Sequence, residues 1–322
     1  MIASSRVAPF SADRDEPQRG LVALLRTEIE NTIERYMRAN SDYRTNVPGL
    51  HVARIVAPVP PTTHMAEASI CICISGARQM TFGGGNYDQI ESQYLLSTIG
   101  LPSIVAIPDA SPQNPYTAVR IELDLELARQ IMAEVDVDTG DRQPSQSGIS
   151  IAPVDHTLLD PVARLVRLIE APRDVAFLSD LLQREILYRV LTGPRGTNLR
   201  QIVRLGSQGH RIAKAASWIR DHFREQFHVE QLATMIGMGV STLHRHFQDL
   251  TGMSPLQYQK HLRLHEARRL MLIEETDVTT TALKVGYESP TQFGREYRRL
   301  FGQPPLKNIK SIRSEGGDRT AF

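Results

Sequence analysis

Cysteine is almost missing from this chain. Only Cys71 and Cys73 occur in 322 residues, so a disulfide framework is excluded and a reducing interior is the natural setting. Long apolar runs are absent as well: no stretch approaches the roughly 20 residues that span a bilayer. The opening segment, Met1 to Pro17, mixes Arg, Asp, Pro and Ser without an apolar core. It reads as a disordered lead-in rather than a signal peptide or anchor. The expected location is the cytoplasm, with no membrane partner. Lysine does not appear before Lys214, and that absence exposes an uneven charge.

From Arg200 onward there are 19 Lys plus Arg against 12 Asp plus Glu, a balance of +7; the remainder has 18 against 24, or −6. Seven of the ten histidines fall between His210 and His265. An acidic first half joined to a basic second half suits a regulatory domain carried by a polyanion-binding domain. A solvated surface produces similar asymmetries, so charge alone does not decide.

Periodicity divides the chain further. Leu21, Leu25, Ile29, Ile33 and Tyr36 mark an amphipathic helix from about Arg19 to Arg38. After Pro48 the pattern becomes short and β-rich: His51–Ala57, Ala68–Ser75, Arg78–Phe82, Gln93–Thr98, Ser103–Ile107 and Tyr116–Leu123. Pro58, Pro60 and Pro61, Gly76, Gly83 to Asn86, and Pro108 to Pro115 separate them as turns. Six or more such strands predict a small antiparallel barrel or jelly roll. A helix begins near Leu127, a polar loop covers Asp136 to Ser150, and two helices follow, about Thr157 to Glu170 and Val175 to Leu191. This pair is a candidate dimer interface or simply packs on the barrel. The expected organisation is a lead-in at 1–18, a β-rich domain with its helices at 19–193, a linker at 194–209, a helical domain at 210–313 and a disordered tail at 314–322.

The second half repeats one construction: short helix, glycine turn, second helix. In the first copy Val229 to Ile236 supports, Gly237-Met238-Gly239 turns, and Ser241 to Leu250 buries Leu243, Phe247 and Leu250. That leaves Ser241, Thr242, His244, Arg245 and Gln248 on the open side, where Arg and Gln can each make two hydrogen bonds to a base edge. In the second copy Val278 to Val285 precedes Gly286, and Ser289-Pro290 opens a helix with a serine cap and proline at its first position. Phe293, Tyr297, Leu300 and Phe301 form its inner face, while Thr291, Gln292, Arg295, Arg298 and Arg299 project elsewhere. Gly294 costs about 1 kcal/mol against Ala in mid-helix; close approach to a DNA backbone or local tolerance would each account for its presence. Between the copies, Ser254 to about Ile273 reads as one helix, roughly 27 Å long. With the half-widths of two recognition helices, their separation comes close to one DNA turn, about 34 Å. Leu256, Leu264, Ala267, Leu270 and Met271 share one side of it and Tyr258 and Leu262 another, which predicts a helix sandwiched between two small subdomains.

Other chemistries have thin support. Metal-enzyme sites need clustered His and a carboxylate on facing strands, and the barrel region offers only His51 and His64; neither an enzyme nor a cofactor is expected. His261 and His265 lie four apart on one helix face, but two ligands do not complete a metal site. Cys71 and Cys73 alternate with Ile70, Ile72 and Ile74 and share one strand face. They stand as candidates for thiol-based electrophile or redox sensing, or as small hydrophobes filling a core.

Gly286-Tyr287-Glu288-Ser289, Gln292-Phe293, Arg295-Glu296-Tyr297, Phe301-Gly302 and Pro304-Pro305 resemble the DNA-binding domain of the AraC/XylS family of bacterial transcription regulators. Thr251 to Pro255, with Tyr258 and Arg263, is similar to the junction into that family's linker helix. Ser69 to Ile72, the hairpin at Gly76, Tyr94 to Leu96 with Leu101-Pro102, and Arg184 to Pro194 look like its cupin-type sensor domain. The resemblance spans about Pro48 to Arg313. It implies an α+β chain: a cupin-like antiparallel β-barrel with flanking helices, then an all-α domain of two helix-turn-helix units joined by a linker helix. It further implies a homodimer that binds double-stranded promoter DNA, works with RNA polymerase and responds to a small-molecule effector or stress signal. Carried over by position, Ser241, His244 and Arg245 would read bases and Gln248 would touch backbone; Thr291, Gln292 and Arg295 would act in the second unit. His228 stands where the family usually has a serine or threonine cap. Pro290 replaces a polar side chain, and Thr279-Thr280-Thr281 is a poor helical run.

Overall fold

A computed structural model describes residues 16–39, 43–83, 85–135, 148–193, 195–204 and 206–314. The first half is built on two antiparallel sheets. One has five strands in the order β1 (Leu50–Ile55), β8 (Tyr116–Glu122), β3 (Ser69–Ser75), β6 (Gln93–Ser97), β9 (Ile149–Pro153); the other has four, β2 (Val59–Ala66), β7 (Leu101–Ile107), β4 (Ala77–Phe82), β5 (Gly85–Ile90). Alternation along β3 sorts its side chains. Ile70, Ile72 and Ile74 join Val52, Leu96, Val119 and Ile121 against the helices, and Cys71 and Cys73 turn inward with Ile55, Ile107, Tyr116 and Ala118.

Helices α1 (Glu16–Ala39), α3 (His156–Arg167) and α4 (Pro172–Thr192) cover the outer face of the five-stranded sheet, and a single 3-10 turn, Leu168–Glu170, joins the last two. Helix α2 (Leu125–Glu134) starts on an Asp124 cap whose carboxylate accepts from the Glu126 and Leu127 amides. The second half is helical: α5 (Thr197–Val203), α6 (Gln208–Asp221), α7 (Val229–Met235), α8 (Val240–Thr251), α9 (Pro255–Ile273), α10 (Val278–Lys284), α11 (Pro290–Phe301) and α12 (Pro305–Ser314).

Several expectations need correction. The Pro58–Pro61 turn is the start of strand β2, whose Pro60 and Pro61 are exposed on a sheet edge where no amide is needed. The turn expected at Gly83 to Asn86 gives way at Gly85 to strand β5. Ile149 and Ser150, read as loop, begin β9; the rest of that loop, 136–147, lies outside the described residues. The 194–209 stretch carries helix α5, with Leu199, Ile202 and Val203 buried. Helix α1 begins at Glu16, earlier than expected, and the remainder of the lead-in and 315–322 lie outside the described residues.

The two halves share a core. Met80, Phe82, Leu95, Ile99 and Leu101 of the barrel pack with Ile212, Ile219, Phe247, Tyr258 and Leu262 of the helical half. Buried Tyr258 Oη donates to the Gly100 carbonyl at 2.6 Å, and the Gly148 amide donates to the Leu250 carbonyl at 2.7 Å. Sequence periodicity gave no sign of this docking. No helix among the described residues is long and apolar enough to cross a membrane.

Candidate nucleic-acid interface

Helix α9 organises the second half. Its 19 residues make a rod of about 28 Å, opened by a full capping box: Ser254 Oγ accepts from the Gln257 amide, and the Gln257 side chain accepts from the Ser254 amide. It is buried around most of its circumference. Tyr258 and Leu262 enter the core beneath the first helix-turn-helix, while Leu264, Ala267, Leu270 and Met271 enter the core beneath the second. The sandwich expected from sequence is thus present, with one exception. Leu256 is 44% exposed, although Pro255 and Tyr258 on either side of it are buried.

In the first unit, α7 is preceded by His228 at its cap position, whose side chain makes no cap hydrogen bond among the described residues, in keeping with the departure noted in the sequence. Leu243 and Phe247 anchor α8 at zero exposure. Ser241, Arg245 and Gln248 are exposed, spaced four and three apart and therefore on one face. Thr242 and His244 are half-buried beside them. Arg245 Nη2 lies 3.3 Å from His246 Nε2.

The second unit is better capped. Asp277 Oδ1 accepts from the Thr279 and Thr280 amides at 3.0 Å each. Thr281 is fully buried with its hydroxyl 2.7 Å from that of Thr276, which explains why a threonine run is tolerated: one is a core residue and two carry the cap. Gly286 has φ +89°, and a Cβ there would collide with the Arg224 carbonyl. Ser289 Oγ caps α11 through the Gln292 amide at 3.3 Å. Thr291, Gln292, Arg295, Arg298 and Arg299 are all exposed. Gln292 reaches Glu296 at 3.4 Å, whereas Arg295, Arg298 and Arg299 make no hydrogen bond or ion pair among the described residues. Phosphate oxygens and base-edge acceptors are the chemistry that free guanidinium groups on a helix face can bind.

Sequence reasoning missed what fixes the two units relative to each other. Arg263 on α9 donates through Nε to the Phe223 carbonyl at 2.6 Å and through Nη1 to the Gly286 carbonyl at 2.8 Å; Nη2 reaches the Glu225 carbonyl at 2.9 Å. Gln259 adds bonds to the Phe223 and Glu225 carbonyls at 3.1 and 2.6 Å. Glu296 on α11 accepts from Lys260 at 2.9 Å and from Tyr287 at 2.8 Å. Burial opposes its ionisation, yet the Lys260, Tyr287 and Gln292 hydrogen bonds hold its pKa below the usual carboxylate value. Polar positions of this kind leave no periodic signal. Helix α12 was also missed; it packs Ile309 into the second core, and Asn308 accepts from Tyr297 at 2.9 Å.

The remaining candidates lie apart from this interface. Cys71 and Cys73 are buried between the sheets. Burial foremost, and then Cys71, push the Cys73 thiol up to about 12, so it stays protonated and donates weakly to the Ser75 and Gly76 carbonyls. Beside them sits Arg78, 5% exposed, whose Nε donates to Gln89; the fold brings this cation across from β4. Among the described residues no group of three or more His, Cys, Asp or Glu is placed to hold a metal ion.

Two family profiles match the chain in order: an AraC-type transcriptional regulator N-terminus over residues 46–198, and a helix-turn-helix domain over residues 232–310. The HTH-type transcriptional activator RhaS of Escherichia coli is 30% identical over 153 residues, covering 47% of this chain and 54% of that protein. The chain thus spans about half the length of these relatives. Apo ToxT of Vibrio cholerae superposes with a TM-score of 0.52 over 83% of this chain and 99% of its own, at 11% identity, a likeness of fold alone. With the AraC-type N-terminal profile over the barrel and a helix-turn-helix profile over both units, the chain belongs to the AraC-type transcriptional regulators.

Proposed function

We propose that the protein binds double-stranded promoter DNA through both helix-turn-helix units, α8 and α11 entering successive major grooves, and regulates transcription by RNA polymerase in response to a small-molecule effector. The carrying observation is the unpaired cationic face of α11, held on the same rigid α9 as the exposed Ser241, Arg245 and Gln248 of α8. Ser241, His244 and Arg245 read bases in one groove, with Thr242 beside them and Gln248 on the backbone. Thr291, Gln292 and Arg295 read the next, and Arg298 and Arg299 hold phosphates.

The protein acts in the cytoplasm as a homodimer. Helix α4 supports that reading. It buries Val175, Leu182 and Ile186 inward, yet its outer side leaves Phe177 75% and Leu181 54% exposed, with Tyr188 near them. Of the two helices expected at the interface, α3 is consumed by packing on α1 and α4, which leaves α4 to meet a second copy.

Mobility-shift selection of genomic fragments by the full chain at physiological salt tests the reading. The expected result is a small set of retained fragments sharing an asymmetric motif about two helical turns long. Uniform retention with no shared motif would overturn it.

A further inference from the structure

The junction between the barrel and the helical half encloses a cleft of about 410 Å³ between β2 and helices α6 and α9. Met65 stands on the barrel side, and Phe223, Leu262, Leu272 and Ile273 on the helical side. Apart from Leu262, which is buried, this apolar surface is only partly covered, with Ile273 54% exposed. Uncovered apolar area between two docked domains is free energy available to an apolar occupant.

The polar lining sets the occupant's charge. Two cations face the cleft, and both already have carboxylate partners: Arg220 pairs with Glu67 at 3.2 Å, and Arg269 forks onto Glu266 at 2.8 and 2.9 Å. Thr63 and His64 on the barrel side and His265 on the helical side complete the polar lining. Burial foremost pushes each histidine down to about 3, with Arg78 and then Arg120 adding to the effect on His64 and His261 and then Arg268 to that on His265. Both are neutral at physiological pH. An anion entering here would find no free cation and would have to displace a carboxylate, whereas a neutral molecule would not.

From this lining we infer that the cleft is an effector site for a small, neutral, predominantly apolar molecule carrying one hydrogen-bonding group. The inference rests on the regulatory reading above and gives its effector a place and a chemical class. An occupant touches β2 on one side and α6 and α9 on the other, so it favours the docked arrangement of sensor and DNA-binding domains over any other.

Fluorescence titration of the full chain with N-phenyl-1-naphthylamine, a neutral apolar amine, tests this. The expected result is saturable enhancement at one probe per chain, displaced by 1-octanol at a concentration about tenfold lower than by octanoate at pH 7.5. Ile273→Glu is expected to weaken probe binding about tenfold, since it sets a charge on the apolar wall. Leu283→Glu, at a similarly exposed apolar position on α10 outside the cleft, leaves probe binding unchanged. Absence of saturation, octanoate displacing more readily than octanol, or equal loss in both variants would overturn the inference. A mobility shift on the same samples separates the two readings. DNA binding without probe binding removes the effector site alone, and probe binding without DNA binding removes the regulatory reading on which its role depends.

Discussion

Arg263 Nη1 donates to the carbonyl of Gly286 across 2.8 Å while the same guanidinium holds the carbonyls of Phe223, Arg224 and Glu225. One side chain on α9 therefore ties the turn of the second helix-turn-helix to the segment that leads into the first. A lysine, with three donors on a point charge, cannot reproduce that fork. Arg263→Lys is expected to cost about 1–3 kcal/mol of stability in urea unfolding. It should also weaken binding to a duplex carrying both half-sites while leaving base preference within each half unchanged. Undiminished affinity for the full site would mean that packing alone sets the spacing.

The buried faces of α8 and α11 and the sandwiched helix were legible because they rest on period: Leu243 and Phe247, Phe293 and Tyr297 repeat at four, and α9 is apolar on two sides. The strands that escaped notice share a position. β2, β5 and β9 each end a sheet and pair on one side only. An edge strand carries exposed prolines, as β2 does at Pro60 and Pro61, or polar residues, as β5 does in Gly-Asn-Tyr-Asp-Gln-Ile, so its alternation is faint. The domain junction escaped for a different reason. Tyr258 and Leu262 look like ordinary core residues of the helical half, and nothing local says that the barrel shares that core.

Gly252 closes α8 at φ +72° and sits against Gly83 of the barrel, itself at φ +56°. A Cβ on Gly252 would lie 2.7 Å from the Gly83 Cα, backbone against backbone, with no flexible side chain to give way. Gly302 closes α11 at φ +77° with open space around it. Gly302→Ala should therefore cost only the left-handed conformation, about 1 kcal/mol. Gly252→Ala should cost more in denaturant unfolding and also raise hydrogen exchange in β4 and β5. Equal costs for the two variants would show that the junction yields freely.

Arg245→Ala and Arg295→Ala separate base reading from phosphate holding. Arg245 is exposed on α8 and Arg295 on α11. Each loss is expected to relax sequence preference at its own half of the operator, at about 1–3 kcal/mol for the preferred base. Binding measured against single-base operator variants checks this. Uniform weakening across all variants would assign both side chains to the backbone.

The outer face of α4 predicts an assembly. Phe177 and Leu181 lie four apart and exposed on a helix whose other side is anchored in the core. Phe177→Glu with Leu181→Glu should convert a dimer to a monomer in light scattering without lowering the unfolding midpoint of the monomeric fold, because neither side chain is buried within the chain. A dimer that survives both charges would place the contact elsewhere.

Acid sensitivity has a specific source in His265. Its pKa is pushed down to about 3 by burial first, then by His261 and Arg268, against 6.5 for the free side chain. The ring packs beside Phe301, and its Nδ1 has no hydrogen-bond partner among the described residues. The folded state therefore refuses a proton that the unfolded chain accepts below pH 6.5. Its contribution to stability is fully present above that pH and is lost as pH falls toward 3, with a slope approaching about 1.4 kcal/mol per pH unit. His265→Leu removes that proton while keeping an apolar group in the site. Between pH 7.5 and 5.0 the urea midpoint of the native chain should fall more steeply than that of the variant as acid is added. Parallel curves would mean that His265 titrates normally in the fold.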